Sequence, residues 1–96
     1  MRSTYLICYD ICDDKRLKKV FKTIRRRGDH LQYSIFECQL SPSELLALRE
    51  ELRAIINYAL DQVLFVNLGP SEGRGERVIE TLGLPYSPID LPCFVV

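Results

Sequence analysis

The sequence predicts an α+β sandwich in which two helices cover one face of an antiparallel sheet, the split βαβ arrangement. Three observations carry this expectation. Short apolar segments alternate with longer amphipathic ones in the order strand, helix, strand or strands, helix, strand. The chain has 96 residues, enough for one hydrophobic core but not two, so residues 1–96 are read as a single domain. Its composition, 47% hydrophobic and 27% charged, excludes a disordered tail, a collagen-like repeat and a low-complexity linker.

The first strand is read at Thr4 to Tyr9, which is β-branched, aromatic and too short for a helix. Asp10 stands at its carboxyl end. Asp13 or Asp14 can cap a first helix, whose apolar residues Leu17, Val20, Phe21 and Ile24 fall on one stripe, with Gly28 as its end. Leu31 to Leu40 alternates like a strand until Phe36-Glu37-Cys38 disturbs the phase, which predicts a bulge or two short strands. A second helix begins at Ser41-Pro42-Ser43-Glu44, where a capping Ser, a Pro and a Glu occupy the positions that start helices. Its stripe is Leu45, Leu48, Leu52, Ile55, Ile56 and Ala59. Val63-Leu64-Phe65-Val66 suits a central strand covered on both faces, or on one face plus a partner. Ser71 to Gly75 reads as a flexible loop, Glu76 to Leu82 as a short helix closed by Gly83, and Cys93-Phe94-Val95-Val96 as a terminal strand. One sheet face is left without helices. A second copy would cover it, which predicts a homodimer through the open sheet face and the C-terminal strand, with residues 84–96 as a docking segment.

No run of apolar residues is long enough for a membrane span, and the first residues leave no room for a signal peptide, so the expectation is a cytoplasmic protein with no membrane partner. Cys8, Cys12, Cys38 and Cys93 form no Cys-x-x-Cys pair and have one His to join them, which argues against zinc. The apolar or alternating segments around Cys8, Cys38 and Cys93 suit reduced thiols in a reducing compartment. His30 has no Ser or Cys arrangement around it for nucleophilic catalysis and is expected at a polar surface or edge.

The net charge is zero, thirteen basic against thirteen acidic residues, yet the charges are separated along the chain. Residues 15–27 hold eight basic side chains and no acid, including all four lysines. The rest of the chain therefore holds five basic and thirteen acidic residues. Around the first helix, nearly every position off the apolar stripe is positive. Like charges three and four residues apart destabilise a helix by a few tenths of a kcal/mol each, so such a face calls for an external anion. Phosphate backbone is the usual one. Lys15, Arg16, Lys18, Lys19, Lys22, Arg26 and Arg27 are thus the candidate nucleic-acid-binding residues. Asp13 and Asp14 suit turn and cap chemistry. Asp10, at a strand end behind Tyr9, suits a cleft instead. Mg²⁺ takes one or two carboxylates plus waters and phosphate oxygens, and Asp10 from each subunit of a twofold dimer would supply two.

Tyr9-Asp10-Ile11, then Asp13-Asp14-Lys15-Arg16, a basic helix ending at Gly28, and Gln32-x-Ser34-Ile35-Phe36-Glu37 together resemble the CRISPR-associated Cas Two family, small endonucleases of CRISPR adaptation modules. The resemblance is specific over residues 5 to 40, extends more loosely through the strand near Asp61 to Leu68, and spans about two thirds of the chain. Where that family usually carries a basic residue before the Gln, this chain has His30-Leu31. The resemblance implies a ferredoxin-like homodimer with a divalent-metal site (Mg²⁺ or Mn²⁺) at Asp10, and metal-dependent hydrolysis of single-stranded RNA or double-stranded DNA during spacer acquisition. It implies Asp10 and Tyr9 as catalytic residues, Ser34 and Phe36 as residues lining the cleft, and phosphate contacts at Arg16 and Lys19. It also implies an alternative: a non-catalytic scaffold that binds spacer DNA and docks a CRISPR integrase partner. A ferredoxin-like RNA-binding module fits less well, because the aromatic residues are scattered.

Overall fold

A computed structural model describes residues 1–75 and 78–85. The elements follow the expected order: β1 (Ser3–Asp10), α1 (Asp14–Arg25), β2 (Gly28–Gln32), β3 (Ile35–Leu40), α2 (Pro42–Arg53) and β4 (Gln62–Pro70). They form one sheet in the order β2-β3-β1-β4, with every neighbouring pair antiparallel. This is the ferredoxin-like sandwich.

Alternation along β1 decides where the core lies. Ile7 and Tyr9 point to the helices, and Ile7 stands in register with Phe36 on one side and Phe65 on the other. Val20, Phe21 and Ile24 of α1 and Leu48 and Leu52 of α2 close over them, forming one cluster with Phe36, Cys38 and Leu40. Burying such a side chain stabilises the fold by roughly 1.5–3 kcal/mol. The opposite parity, Leu6 and Cys8, faces away from the helices beside Ile35, Leu64 and Val66.

The caps explain both helix starts. Asp13 is extended, and its carboxylate accepts the Arg16 amide at 3.0 Å. Ser41 and Glu44 form a full capping box: the Glu44 amide donates to Ser41 Oγ at 3.2 Å and the Ser41 amide to Glu44 Oε1 at 2.9 Å. Helix ends differ from expectation. Helix α1 stops at Arg25, and Gly28 already belongs to β2, where it serves a different purpose. A Cβ there would meet Cys38 Sγ at 2.3 Å and the Glu37 carbonyl at 2.4 Å, so glycine permits the close approach of β2 to β3. Helix α2 ends at Arg53, leaving Ile55 and Ile56 partly buried and Ala59 exposed beyond it.

Leu31 to Leu40 divides into β2 and β3, joined at Tyr33-Ser34, with a register shift between His30 and Gln32. The strand β4 lies at the sheet edge rather than its centre. Val63 and Phe65 pack inward, while Leu64, Val66 and Leu68 remain exposed on the helix-free face. The loop after β4 is anchored rather than free: the Ser71 amide donates to the Arg2 carbonyl at 3.0 Å, and the Ser71 and Thr4 hydroxyls pair at 2.8 Å. Residues 78–85 form no helix, contrary to the reading of Glu76 to Leu82. The terminal strand expected at Cys93 to Val96 lies outside the described residues. Among the described residues, no helix is long and apolar enough to cross a membrane.

Candidate functional site

The end of the sheet where β1 runs into α1 gathers most of the residues singled out in the sequence. Asp10 is the last residue of β1, in register with Gln62 of β4, and is exposed. Its carboxylate has no hydrogen bond or ion pair within the described residues, unlike the capping Asp13. By strand alternation it shares the helix-free side with Cys8 and Leu6.

Tyr9 points the other way. It is buried, stacked against Phe36 with ring centroids 6.2 Å apart, and its hydroxyl donates to the Tyr33 carbonyl at 3.2 Å. Burial pushes its phenol up to about 12, so it holds its proton throughout the physiological range. The Tyr9 hydroxyl is thereby engaged inside the fold, on the side of the sheet away from Asp10. Ser34 acts through its backbone, its carbonyl accepting the Tyr9 amide at 3.1 Å. Phe36 has no exposed surface and belongs to the core, so it does not line a cleft. His30 lies on the edge strand β2, one of the two places expected for it, but its side chain is buried rather than exposed. It lies between Phe36 and Phe21 at centroid distances of 4.7 and 5.0 Å, with Nε2 3.0 Å from the Tyr33 carbonyl. These contacts join Tyr9, His30 and the Tyr33-Ser34 turn into one support behind Asp10.

A second support was not legible in the sequence. Asp61, just before β4, receives the Arg16 side chain through Nε at 2.7 Å and Nη2 at 3.1 Å. The same carboxylate accepts the amides of Cys12 at 2.9 Å and Asn57 at 2.8 Å. The Asp61 side chain has no solvent exposure, and the Arg16 guanidinium holds its carboxyl far below the usual range. Arg16 is thereby engaged inside the fold and is not a free phosphate ligand.

The basic helix divides in the same way. Lys15, Lys18, Lys19 and Lys22 are exposed and make no ion pair among the described residues. Arg27 pairs with Glu51 at 3.3 Å and Arg26 lies 3.7 Å from the same carboxylate. A groove of about 650 Å³ runs beside the helix, lined by Lys19, Lys22, Thr23, Arg25, Arg26 and Ile55. The lysine face is complete within one chain.

The metal site is not. Among the described residues, no group of three or more His, Cys, Asp or Glu side chains is placed to hold an ion. Asp10 offers one exposed, uncommitted hard oxygen donor, which fits half of a two-carboxylate Mg²⁺ or Mn²⁺ site.

The family described as CRISPR associated protein Cas2 matches residues 3–73, which span every helix and strand among the described residues. The chain belongs to this Cas2 family. A CRISPR-associated endoribonuclease Cas2 of Thermodesulfovibrio yellowstonii is 41% identical over 91 residues, covering 90% of this chain and 100% of that one. One from Rhodospirillum rubrum is 33% identical over 92 residues, covering 96% and 89%. The crystal structure of Streptococcus pyogenes Cas2 superposes with a TM-score of 0.69 at 33% identity, covering 83% of this chain and 99% of that one. The Cas2 match includes both the Asp10 strand end and the whole basic helix.

Proposed function

We propose that this Cas2 chain is a metal-dependent endonuclease that hydrolyses phosphodiester bonds in CRISPR spacer acquisition. The observation that carries this reading is Asp10: an exposed carboxylate at a strand end paired to β4, with no partner among the described residues of its own chain. The names of its relatives, endoribonucleases, favour RNA over DNA as the substrate. The working form is a homodimer packed through the helix-free face, where Leu64, Val66 and Leu68 are exposed, so that two Asp10 carboxylates meet.

In this reading Lys15, Lys18, Lys19 and Lys22 hold the phosphate backbone, while Asp10 and its counterpart hold Mg²⁺ or Mn²⁺. When bound, the ion supplies an activated water and charge stabilisation for in-line displacement at phosphorus. The protein's part is to fix both carboxylates and to keep the strand in place. Asp10→Asn tests it: cleavage of single-stranded RNA is lost while binding in EDTA is retained. Cleavage that persists in the variant sinks the proposal.

The completeness of the lysine face within one chain favours a second reading, a non-catalytic scaffold that binds spacer duplex and docks an integrase partner. Here Asp10→Asn leaves spacer integration intact, and truncation after Pro92 abolishes assembly with the integrase. Normal assembly by that truncation counts against the docking segment.

A further inference from the structure

Asp61 lies opposite the point where β1 leaves the sheet. Its carboxylate takes four hydrogen bonds: two from the Arg16 guanidinium, one from the Cys12 amide and one from the Asn57 amide. Cys12 is held a second time, its thiol donating to the Leu60 carbonyl at 3.0 Å. Asp10 itself pairs with Gln62, the residue after Asp61. The segment carrying Asp10 is therefore gripped on both sides: by the ladder to β4 before it, and by the Asp61 carboxylate two residues after it. A connection of three residues between β1 and α1 has little freedom left once its middle amide and the first turn of its helix are both fixed.

We propose that Asp61, through Arg16 and the Cys12 amide, is a positioning residue that sets the Asp10 carboxylate for divalent-cation binding. The inference rests on the reading of Asp10 as a metal ligand. Asp61 need not touch the ion, because groups that orient a ligand change metal affinity about 10–100-fold when removed. A site assembled from one carboxylate per chain depends on this placement more than one with several ligands, since no second donor from the same chain corrects an error.

The experiment is a Mn²⁺ titration of the full chain followed by electron paramagnetic resonance, without nucleic acid, for wild type, Asp10→Asn, Asp61→Asn, Arg16→Lys and Ser41→Ala. Ser41→Ala removes the α2 cap at the opposite end of the sheet, and so lowers stability without touching the loop. Asp61→Asn is expected to weaken Mn²⁺ binding about tenfold while keeping its circular dichroism and its duplex affinity in EDTA. Arg16→Lys keeps the charge but loses the fork, and is expected to weaken binding at least threefold, whereas Ser41→Ala matches wild type. Wild-type Mn²⁺ affinity in folded Asp61→Asn overturns the inference. If that variant does not fold, unchanged affinity in Arg16→Lys overturns it instead. Unchanged affinity in Asp10→Asn overturns the metal-ligand reading itself, a separate result.

Discussion

The His30 imidazole stacks on the Phe36 ring, with centroids 4.7 Å apart and planes inclined by 20°. Phe21 meets both edge-on, at 5.0 Å from His30 and 5.4 Å from Phe36. The three rings join α1, β2 and β3 at the centre of the core, and Tyr9 extends the stack from β1. Residues next to the Asp10 strand end therefore hold the sheet and helix together rather than forming a surface.

Phe36 tests that distinction. Phe36→Ala should lower unfolding stability by about 3–5 kcal/mol, measured by urea denaturation, because it empties a fully buried site. Phe36→Leu should keep nucleic-acid affinity within about twofold of wild type. A large drop in affinity in a stable Phe36→Leu protein would restore its role as a cleft residue.

Alkaline pH acts on two buried groups. Burial raises the Tyr9 phenol from 10.0 and the Cys38 thiol from 9.0, each to about 12. The folded state then binds more protons than the unfolded state across this range. Their stabilisation is complete below about pH 9 and is lost as pH rises through about 9 to 12. Denaturation midpoints should fall over that window, and Tyr9→Phe should fall less steeply. At neutral pH the same variant loses only one hydrogen bond, about 1 kcal/mol, and its cleavage rate should show an unchanged pH profile up to about pH 9. A shifted profile would return Tyr9 to the chemistry.

The lysine face predicts a salt effect. Alanine at Lys15, Lys18, Lys19 or Lys22 should each weaken duplex binding and flatten the slope of log K against log salt by about 0.9 for each phosphate that the variant no longer neutralises. Arg27→Ala should change the slope less, since Arg27 already pairs with Glu51. Fluorescence anisotropy over a salt series measures both. Equal slopes for the lysine variants and wild type would remove the phosphate role from this face.

Gly28→Ala should destabilise the fold by about 1–3 kcal/mol, because the added methyl meets Cys38 Sγ and the Glu37 carbonyl. Calorimetry of the variant checks this. A neutral result would mean that β2 can move away from β3 at no cost in stability.

Much of the fold was legible locally. Each start signal sits within four residues: Asp13 with the Arg16 amide, Ser41 with Glu44. The stripe Leu17, Val20, Phe21 and Ile24 declares a buried helix face by spacing alone; the last three are buried and Leu17 packs, partly buried, against the core. Helix ends were less legible. Asp61 captures the Asn57 amide and holds the chain in a turn, so the apolar spacing that continues to Ala59 does not extend α2. Gly28 carries the composition of a helix stop, yet its role depends on Cys38, ten residues away.

At the candidate site, near neighbours in the chain are enough to establish that a carboxylate ends a strand and that a helix carries an excess of positive charge. Which of those groups remain available is settled only when distant segments pack together. Arg16 and Lys19 look alike in the sequence, but the fold brings Asp61, 45 positions away, against Arg16 and leaves Lys19 exposed. Tyr9 and Asp10 are adjacent, but strand alternation buries one and exposes the other. An ionic or polar group is free to meet a ligand directly only if nothing in the fold has already satisfied it, and long-range packing decides what satisfies it.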